Sequence, residues 1–158
     1  MRNPANPEVS AVPVLVRRTG SGADLPLPAR ATPGSSGWDL RACIDEPITL
    51  PPGARALVGT GFAMALPPGY EAQIRPRSGL AAEHGVTLLN SPGTVDSDYR
   101  GEIRLILVNL GQGPFTVRRG DRIGQMVVSG VVPVQLVEAD ELPVTVRNAG
   151  GFGHTGRD

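Results

Sequence analysis

The chain has 158 residues, enough for one domain with a single hydrophobic core. Fifteen arginines, with no lysine, balance fifteen acidic residues, and this zero net charge argues against a protein that coats nucleic acid. The lone cysteine, Cys43, excludes an intrachain disulfide and paired-cysteine metal motifs, and no apolar run approaches the ~18 residues of a membrane span. We therefore expect a cytoplasmic protein with neither nucleic acid nor membrane as its partner.

Twenty-one glycines and sixteen prolines divide the chain into short apolar segments, which is typical of a turn-rich all-β protein. Residues 1–10 have the composition of a flexible tail and lack the apolar stretch of a secretion signal. One turn of helix is predicted over residues 80–84. The predicted strands cover residues 12–17, 38–43, 55–66, 70–75, 86–89, 102–109, 115–117, 123–128 and 131–137. This pattern indicates a sandwich or barrel over residues 11–146, followed by a flexible segment over 147–158.

Two polar segments precede the centre of the chain. Asp39 follows a Gly-Ser-Ser-Gly-Trp sequence, and in isolation such an aspartate is more often a loop hydrogen-bonding group than a neighbour of a metal. Further on, Arg77, Ser78 and Gly79 combine fork-shaped donors, a hydroxyl and a close backbone approach, which suit phosphate oxygens. The same three residues also occur in ordinary turns, so this pattern alone is a weak signal.

Residues 90–104 are the most informative part of the sequence. They read Asn-Ser-Pro-Gly-Thr-Val-Asp-Ser-Asp-Tyr-Arg-Gly-Glu-Ile-Arg and lead into an apolar strand. A turn that presents the carboxylate of Asp96 beside the ring of Tyr99 is well suited to activate a water next to a flat substrate. The alternatives are an aspartate that caps its own turn and a half-buried strand aromatic.

Two further segments follow this centre. Asp121–Met126 is expected to begin a strand, in which Arg122 and Gln125 are solvated unless they face a ligand. The glycines of Arg147–Gly156 permit positive φ and can expose backbone N–H groups to an anion, although the P-loop ending Gly-Lys-Ser/Thr is missing. The single ring of Phe152 indicates that this segment docks against something, whereas a disordered glycine-rich tail is the alternative.

Together these five segments resemble the five motifs of the homotrimeric dUTP pyrophosphatases (dUTPases), in the same order and spacing across residues 34–157. Ser78 of the Arg-Ser-Gly-Leu segment stands eighteen residues before Asp96, and Arg147 stands five before Phe152. The departures from the family pattern are small. Gly124 replaces the usual alanine, an aliphatic residue is commoner at position 94, and neither change removes a functional group.

The resemblance implies a jelly-roll-like β-barrel in a homotrimer, with the C-terminal arm, residues 147–158, exchanged between subunits. It implies hydrolysis of dUTP to dUMP and pyrophosphate, which limits uracil incorporation into DNA and supplies dUMP for thymidylate synthesis. Asp96 would be the base that activates water for in-line attack on the α-phosphorus. The implied cofactor is Mg²⁺, chelated by the substrate phosphates and reached by Asp39 through water, without a dedicated protein cage.

The resemblance also assigns the substrate contacts. The hairpin backbone would recognise uracil, and the Tyr99 ring would pack on deoxyribose in the space that a ribose 2′-hydroxyl needs. Phe152 would stack on uracil when the arm closes over the nucleotide. The substrate-binding residues implied in this way are Arg77, Ser78, Gly79, Asn90, Gly93, Thr94, Val95, Tyr99, Arg104, Gln125, Arg147, Phe152, Gly153, His154 and Thr155.

Two other functions compete with this interpretation. The dCTP deaminases share the fold, but they carry a catalytic glutamate where this chain has Ile106 and a tryptophan where it has Tyr99. Zinc-dependent deamination requires a set of Cys and His ligands that the sequence does not contain. A non-catalytic dUTP-binding regulatory protein could lose the base or the arm freely, whereas Asp96, Tyr99 and Phe152 are all present here.

Overall fold

Short apolar segments between glycine- and proline-containing turns form eleven β-strands in the computed structural model, which describes residues 11–151. One helix, α1 (Ser78–His84), and one 3-10 turn, Gly22–Asp24, accompany them, so the all-β prediction is confirmed. The strands are β1 (Leu15–Arg18), β2 (Ala29–Arg30), β3 (Trp38–Arg41), β4 (Ile48–Leu50), β5 (Arg55–Ala65), β6 (Tyr70–Arg75), β7 (Val86–Leu88), β8 (Gly93–Val95), β9 (Glu102–Asn109), β10 (Phe115–Val117) and β11 (Arg122–Gly130).

The strands form two main antiparallel sheets. One has the order β1-β5-β9-β7 and the other the order β2-β3-β11-β6-β8, while β10 and β4 make a small two-stranded sheet. From β5 to β9 the chain alternates between the two main sheets, as in a jelly roll. The three sheets are not closed into one continuous barrel over the described residues. The five-stranded sheet carries the predicted site residues Asp39, Gly93, Thr94, Val95 and Gln125.

The core lies between the main sheets and is built by alternating side chains. In β9, Ile103, Leu105 and Leu107 are at most 2% exposed, and Arg104 between them is exposed on the opposite face. The same period of two therefore buries the strand and presents Arg104 outward. A register shift between β11 and β3 interrupts this regularity after Arg122 and leaves that arginine exposed at the start of the strand.

Arg119 fixes the turn from which β11 begins. Its guanidinium donates to the carbonyl of Ser21 at 2.5 Å and to that of Ile44 at 3.1 Å, and it pairs with the Asp24 carboxylate at 2.5 Å. The hydrogen bond from Arg119 lowers the pKa of Asp24 below its ordinary value. Three loops that are distant in sequence are thus held together beside the five-stranded sheet.

Most of the predicted strands are confirmed, with ends that differ by a few residues. The helix predicted over residues 80–84 is also confirmed, and it begins two residues earlier, at Ser78. Strands β2, β4 and β8, which have two or three residues each, were not predicted.

The strand predicted over residues 131–137 is wrong for the single chain. Residues 131–146 contain no helix or strand, and apolar side chains such as Val132 and Leu136 are 76% and 95% exposed. The alternating apolar pattern is real, but within the described residues this segment has no strand to pair with after Val131 donates to Gly69 at 2.8 Å. Within residues 11–151, no helix has the length and apolar character to cross a membrane.

Candidate active site

The hairpin at residues 93–99 presents Asp96 to solvent. Strand β8 pairs with β6 so that Gly93 and Val95 are buried, while Thr94 and Asp96 are exposed. The turn that follows is closed by the backbone N–H of Tyr99, which donates to the carbonyl of Asp96 at 3.1 Å. Among the described residues no group donates a hydrogen bond to the Asp96 carboxylate, so the alternative of an aspartate that caps its own turn is not supported. The side chain is left to a ligand or a water.

A cavity of about 310 Å³ lies between this hairpin and β9, and we call it the hairpin cavity. Its volume is at the small end of the range for ligand pockets. Its apolar wall includes Ile74, Leu88 and Leu105. The structure brings these predicted site residues together along its lining: Asn90, Gly93, Thr94, Val95, Asp96, Tyr99 and Arg104.

The Tyr99 ring stands at the wall of the hairpin cavity and is 44% exposed. Its hydroxyl donates to the carbonyl of Glu102 at 3.1 Å, so the ring is anchored at the start of β9. The Glu102 carboxylate in turn accepts the backbone N–H of Gly61 at 2.9 Å, where β5 is irregular. The alternative of a half-buried strand aromatic is therefore wrong, because Tyr99 lies in a turn and faces a cavity.

A second group of site residues lies on β3, β11 and the start of α1, and we call it the arginine cluster. It consists of Asp39, Arg77, Arg122 and Gln125. One oxygen of Asp39 accepts from Arg122 at 3.0 Å, and the other lies 3.4 Å from Nε of Arg77. Arg77 also donates to the carbonyl of Arg122 at 3.2 Å. One carboxylate thus holds two guanidinium groups side by side.

Gln125 completes the arginine cluster from the middle of the sheet. It lies opposite Asp39 on one side and Arg75 on the other, and its amide donates to the carbonyl of Pro76 at 3.0 Å. A side chain at Gly37 would meet the Gln125 amide oxygen at 2.3 Å, so glycine is needed there for this conformation. A cavity of about 320 Å³ adjoins these residues.

Ser78 and Gly79 begin α1 directly after Arg77. A side chain built at Gly79 would have nothing within 4 Å, so packing in the single chain does not require glycine at this position. The glycine instead leaves the backbone accessible to a ligand or to another chain. This accessibility agrees with the phosphate-binding role expected for Arg77, Ser78 and Gly79, which remains a prediction.

The structure does not bring the hairpin cavity and the arginine cluster together within one chain. Strands β3 and β8 are separated by β11 and β6, which places Asp39 and the hairpin about 14 Å apart across the sheet. Among the described residues, Arg147 forms hydrogen bonds only within its own turn, where it donates to the carbonyl of Gly150 at 2.8 Å. The remaining predicted site residues lie outside the described residues: Phe152, Gly153, His154 and Thr155.

The described side chains do not form a protein cage for a metal ion. Within residues 11–151, no group of three or more His, Cys, Asp or Glu residues is arranged to hold one. Both oxygens of Asp39 already face guanidinium groups. This donor set fits an Mg²⁺ ion that is carried by phosphate oxygens and water, as this ion prefers.

Arg122 was missed as a functional residue by sequence reasoning. The sequence shows an arginine at a strand start, and its partner Asp39 is 83 positions away. The pairing of β3 with β11 brings the two residues into contact, and no local sequence pattern predicts that pairing.

The chain was compared with known proteins. The dUTPase family model matches residues 23–156. The chain is 54% identical over 154 residues to the deoxyuridine 5'-triphosphate nucleotidohydrolase of Caulobacter vibrioides, covering 94% of this chain and 99% of that protein. It is 53% identical over 146 residues to the enzyme of the same name from Caldanaerobacter subterraneus, covering 92% of this chain and 99% of that protein.

Solved structures give the same fold. The dUTPase of Staphylococcus bacteriophage 80alpha with dUPNHPP superposes with a TM-score of 0.82 at 21% identity, covering 91% of this chain and 98% of that one. A dUTPase variant from phage phi11 of S. aureus, described with a structural Mg(II) ion, gives a TM-score of 0.73 at 19% identity over 82% and 97%. From its family match and its close relatives, this chain belongs to the dUTPase family.

Proposed function

We propose that this protein hydrolyses dUTP to dUMP and pyrophosphate. The observation that carries the proposal is the exposed carboxylate of Asp96 beside Tyr99 at the hairpin cavity. A carboxylate that is not used to close its own turn can hold a water and accept its proton. The family relationship supports dUTP as the substrate, and the local geometry supports Asp96 as the residue that acts on water.

The proposed reaction is an in-line displacement at the α-phosphorus. Asp96 orients a water and takes one of its protons while the oxygen bonds to phosphorus. The bond between the α-phosphorus and the bridging oxygen breaks, so that pyrophosphate leaves with that oxygen and dUMP remains. Most of the rate enhancement in such chemistry comes from positioning and from neutralising charge.

The hairpin cavity is proposed to bind the nucleoside. The backbone of residues 93–96 and the side chain of Asn90 offer hydrogen-bonding groups at a cavity with an apolar wall, which suits a flat uracil ring. Tyr99 is anchored at one end through Glu102 and is proposed to occupy the space beside C2′ of the sugar. A ribose hydroxyl would then clash with the ring, which favours deoxyribose.

The arginine cluster is proposed to bind the triphosphate. Arg77 offers a guanidinium held by Asp39, Ser78 and Gly79 offer a hydroxyl and an accessible backbone, and Gln125 offers an amide. Asp39 keeps two like-charged guanidinium groups together before substrate binds, which lowers the cost of arranging them. Mg²⁺, when bound to the phosphates, would neutralise part of their charge, with Asp39 as its water-mediated neighbour.

We propose three nucleotide sites in a homotrimer, each built from more than one chain. The reason is that, within one chain, the hairpin cavity and the arginine cluster lie apart. The exposed apolar segment 131–146 supports an assembly, since isolated chains rarely expose so many large apolar side chains in sequence. Residues 147–158 are proposed as an arm that closes over a neighbouring site, with Arg147, Phe152, Gly153, His154 and Thr155 on the nucleotide. A cytoplasmic location is part of this proposal.

The proposed function is tested by pyrophosphate release from dUTP, dCTP, dTTP and UTP, with Mg²⁺ and then with EDTA. We expect turnover of dUTP alone, lost on chelation, and strongly reduced turnover by a chain that ends at Val146. Equal turnover of several nucleotides would indicate a general nucleotide pyrophosphatase. Binding of dUTP without turnover would instead indicate a regulatory protein, and full activity of the shortened chain would remove the arm from the mechanism.

A further inference from the structure

Gly101 lies directly beneath the aromatic ring of Tyr99. A side chain built on Gly101 would meet the Tyr99 hydroxyl oxygen at 2.3 Å and the adjoining ring carbon at 2.5 Å, with a second ring carbon at 3.0 Å. All three distances are far shorter than an ordinary van der Waals contact. The ring can therefore keep its position only while residue 101 has no side chain.

The backbone does not explain the glycine. The positive-φ glycines among the described residues do not include Gly101, so another residue could adopt its backbone conformation. The three atoms nearest to the built side chain instead all belong to Tyr99. The absence of a side chain at position 101 thus acts on one neighbour, and that neighbour faces the hairpin cavity.

The ring position is fixed from two directions. The hydroxyl of Tyr99 donates to the carbonyl of Glu102 at 3.1 Å, and the missing side chain at Gly101 leaves the space that the ring occupies. A methyl group at position 101 would displace the ring, and the displacement would break this hydrogen bond. The Tyr99 ring is otherwise 44% exposed, so little else holds it in place once it is displaced.

We infer that Gly101 is a specificity-determining residue, which acts by positioning Tyr99 so that the ring excludes ribose from the sugar site. This inference rests on the proposed function, because it assigns the wall of the same nucleotide site. Gly101 itself touches no substrate. Its effect is to hold the Tyr99 ring in the position where the ring occupies the space that a 2′-hydroxyl would need.

The test is the substitution Gly101→Ala, with kcat/KM measured for dUTP and for UTP. We expect the ratio of dUTP to UTP to fall by about tenfold or more, mainly because UTP turnover rises. Calorimetric binding of dUMP and UMP supplies the same comparison without turnover. A loss of structure would lower kcat/KM for both nucleotides alike. A changed ratio therefore distinguishes an effect on the position of Tyr99 from a general loss of structure.

Two controls make the result specific. Gly113→Ala changes a glycine whose built side chain meets nothing within 4 Å, and the ratio should stay at the wild-type value. In a Tyr99→Ala background, Gly101→Ala should change the ratio no further, because the ring on which it acts is gone. An unchanged ratio in the single variant would overturn the inference, as would an equal further fall without the ring. A wild-type protein that neither binds dUMP nor hydrolyses dUTP would instead refute the proposed function.

Discussion

Two carboxylates stand two positions apart in the central turn, and the structure gives them different surroundings. Asp96 lines the hairpin cavity together with Tyr99, whereas Asp98 is exposed and does not line it. Both are aspartates, with the same carboxylate group. Their expected difference in function therefore comes from position, since only Asp96 can hold a water next to a bound nucleotide.

The substitution Asp96→Asn should keep dUTP binding and lower kcat by about 10²–10⁴-fold, because the amide has a similar shape but cannot accept the proton. The matched control is Asp98→Asn, which removes the same charge outside the cavity and should leave kcat unchanged. Steady-state rates and calorimetric binding measure the two effects separately. Wild-type turnover by Asp96→Asn would remove this residue from the mechanism.

At this scale the sequence predicted what is local. Asp96 and Tyr99 lie within one turn, so their proximity follows from their spacing alone. The ion pairs of Asp39 with Arg77 and Arg122 join segments that are 38 and 83 positions apart in the sequence, so no local pattern predicts them. The space that Tyr99 occupies over Gly101 depends on a side-chain conformation, which a pattern of letters does not contain.

Strand β11 shows how an element accommodates an unusual residue. Gly124 is buried, and a side chain built there would meet Cδ2 of Leu105 at 2.4 Å and the carbonyl of Arg75 at 3.4 Å. A glycine inside a strand usually weakens it, because glycine loses more backbone entropy on folding and has no side chain to pack. The structure shows that Leu105, which is 1% exposed, fills the space that an alanine methyl would need.

Gly124→Ala should therefore destabilise the protein by about 1–3 kcal/mol, although alanine is usual here in the family, because the added methyl overpacks the core. Thermal denaturation measures the change as a lower Tm. The compensating variant is Leu105→Val, which shortens the opposing side chain. Combined with Gly124→Ala, it should cost less than the sum of the two single changes. A higher Tm for Gly124→Ala alone would show that Leu105 moves aside freely.

The whole molecule divides its chemistry between two places on one sheet. Asp39 of the arginine cluster and the hairpin lie about 14 Å apart across β3, β11, β6 and β8. The sequence predicted the all-β class and most strands, and it named the residues of the hairpin and of the arginine cluster except Arg122. It wrongly predicted a strand at 131–137, because an alternating apolar pattern shows that a segment can pair but not that its own chain supplies the partner.

Two inactive variants should restore each other if a site draws its halves from different chains. Arg77→Ala damages the arginine cluster and Asp96→Asn the hairpin, so co-expressed chains should give mixed assemblies with roughly a quarter of their sites intact. Activity of the purified mixture measures this recovery. Co-expression of Asp96→Asn with Asp96→Ala is the control and should give none. No recovery in verified mixed assemblies would place both halves of the site on one chain.

The exposed apolar side chains of residues 131–146 also bear on how the protein behaves on dilution. Val132, Leu136 and Val146 are 76%, 95% and 109% exposed, so the separated chain presents a row of apolar side chains to solvent. If a neighbouring chain covers these side chains, association stabilises the folded chain, and Tm rises with protein concentration. Dilution then has two effects: the assembly dissociates, and the released chains expose apolar side chains through which they can aggregate.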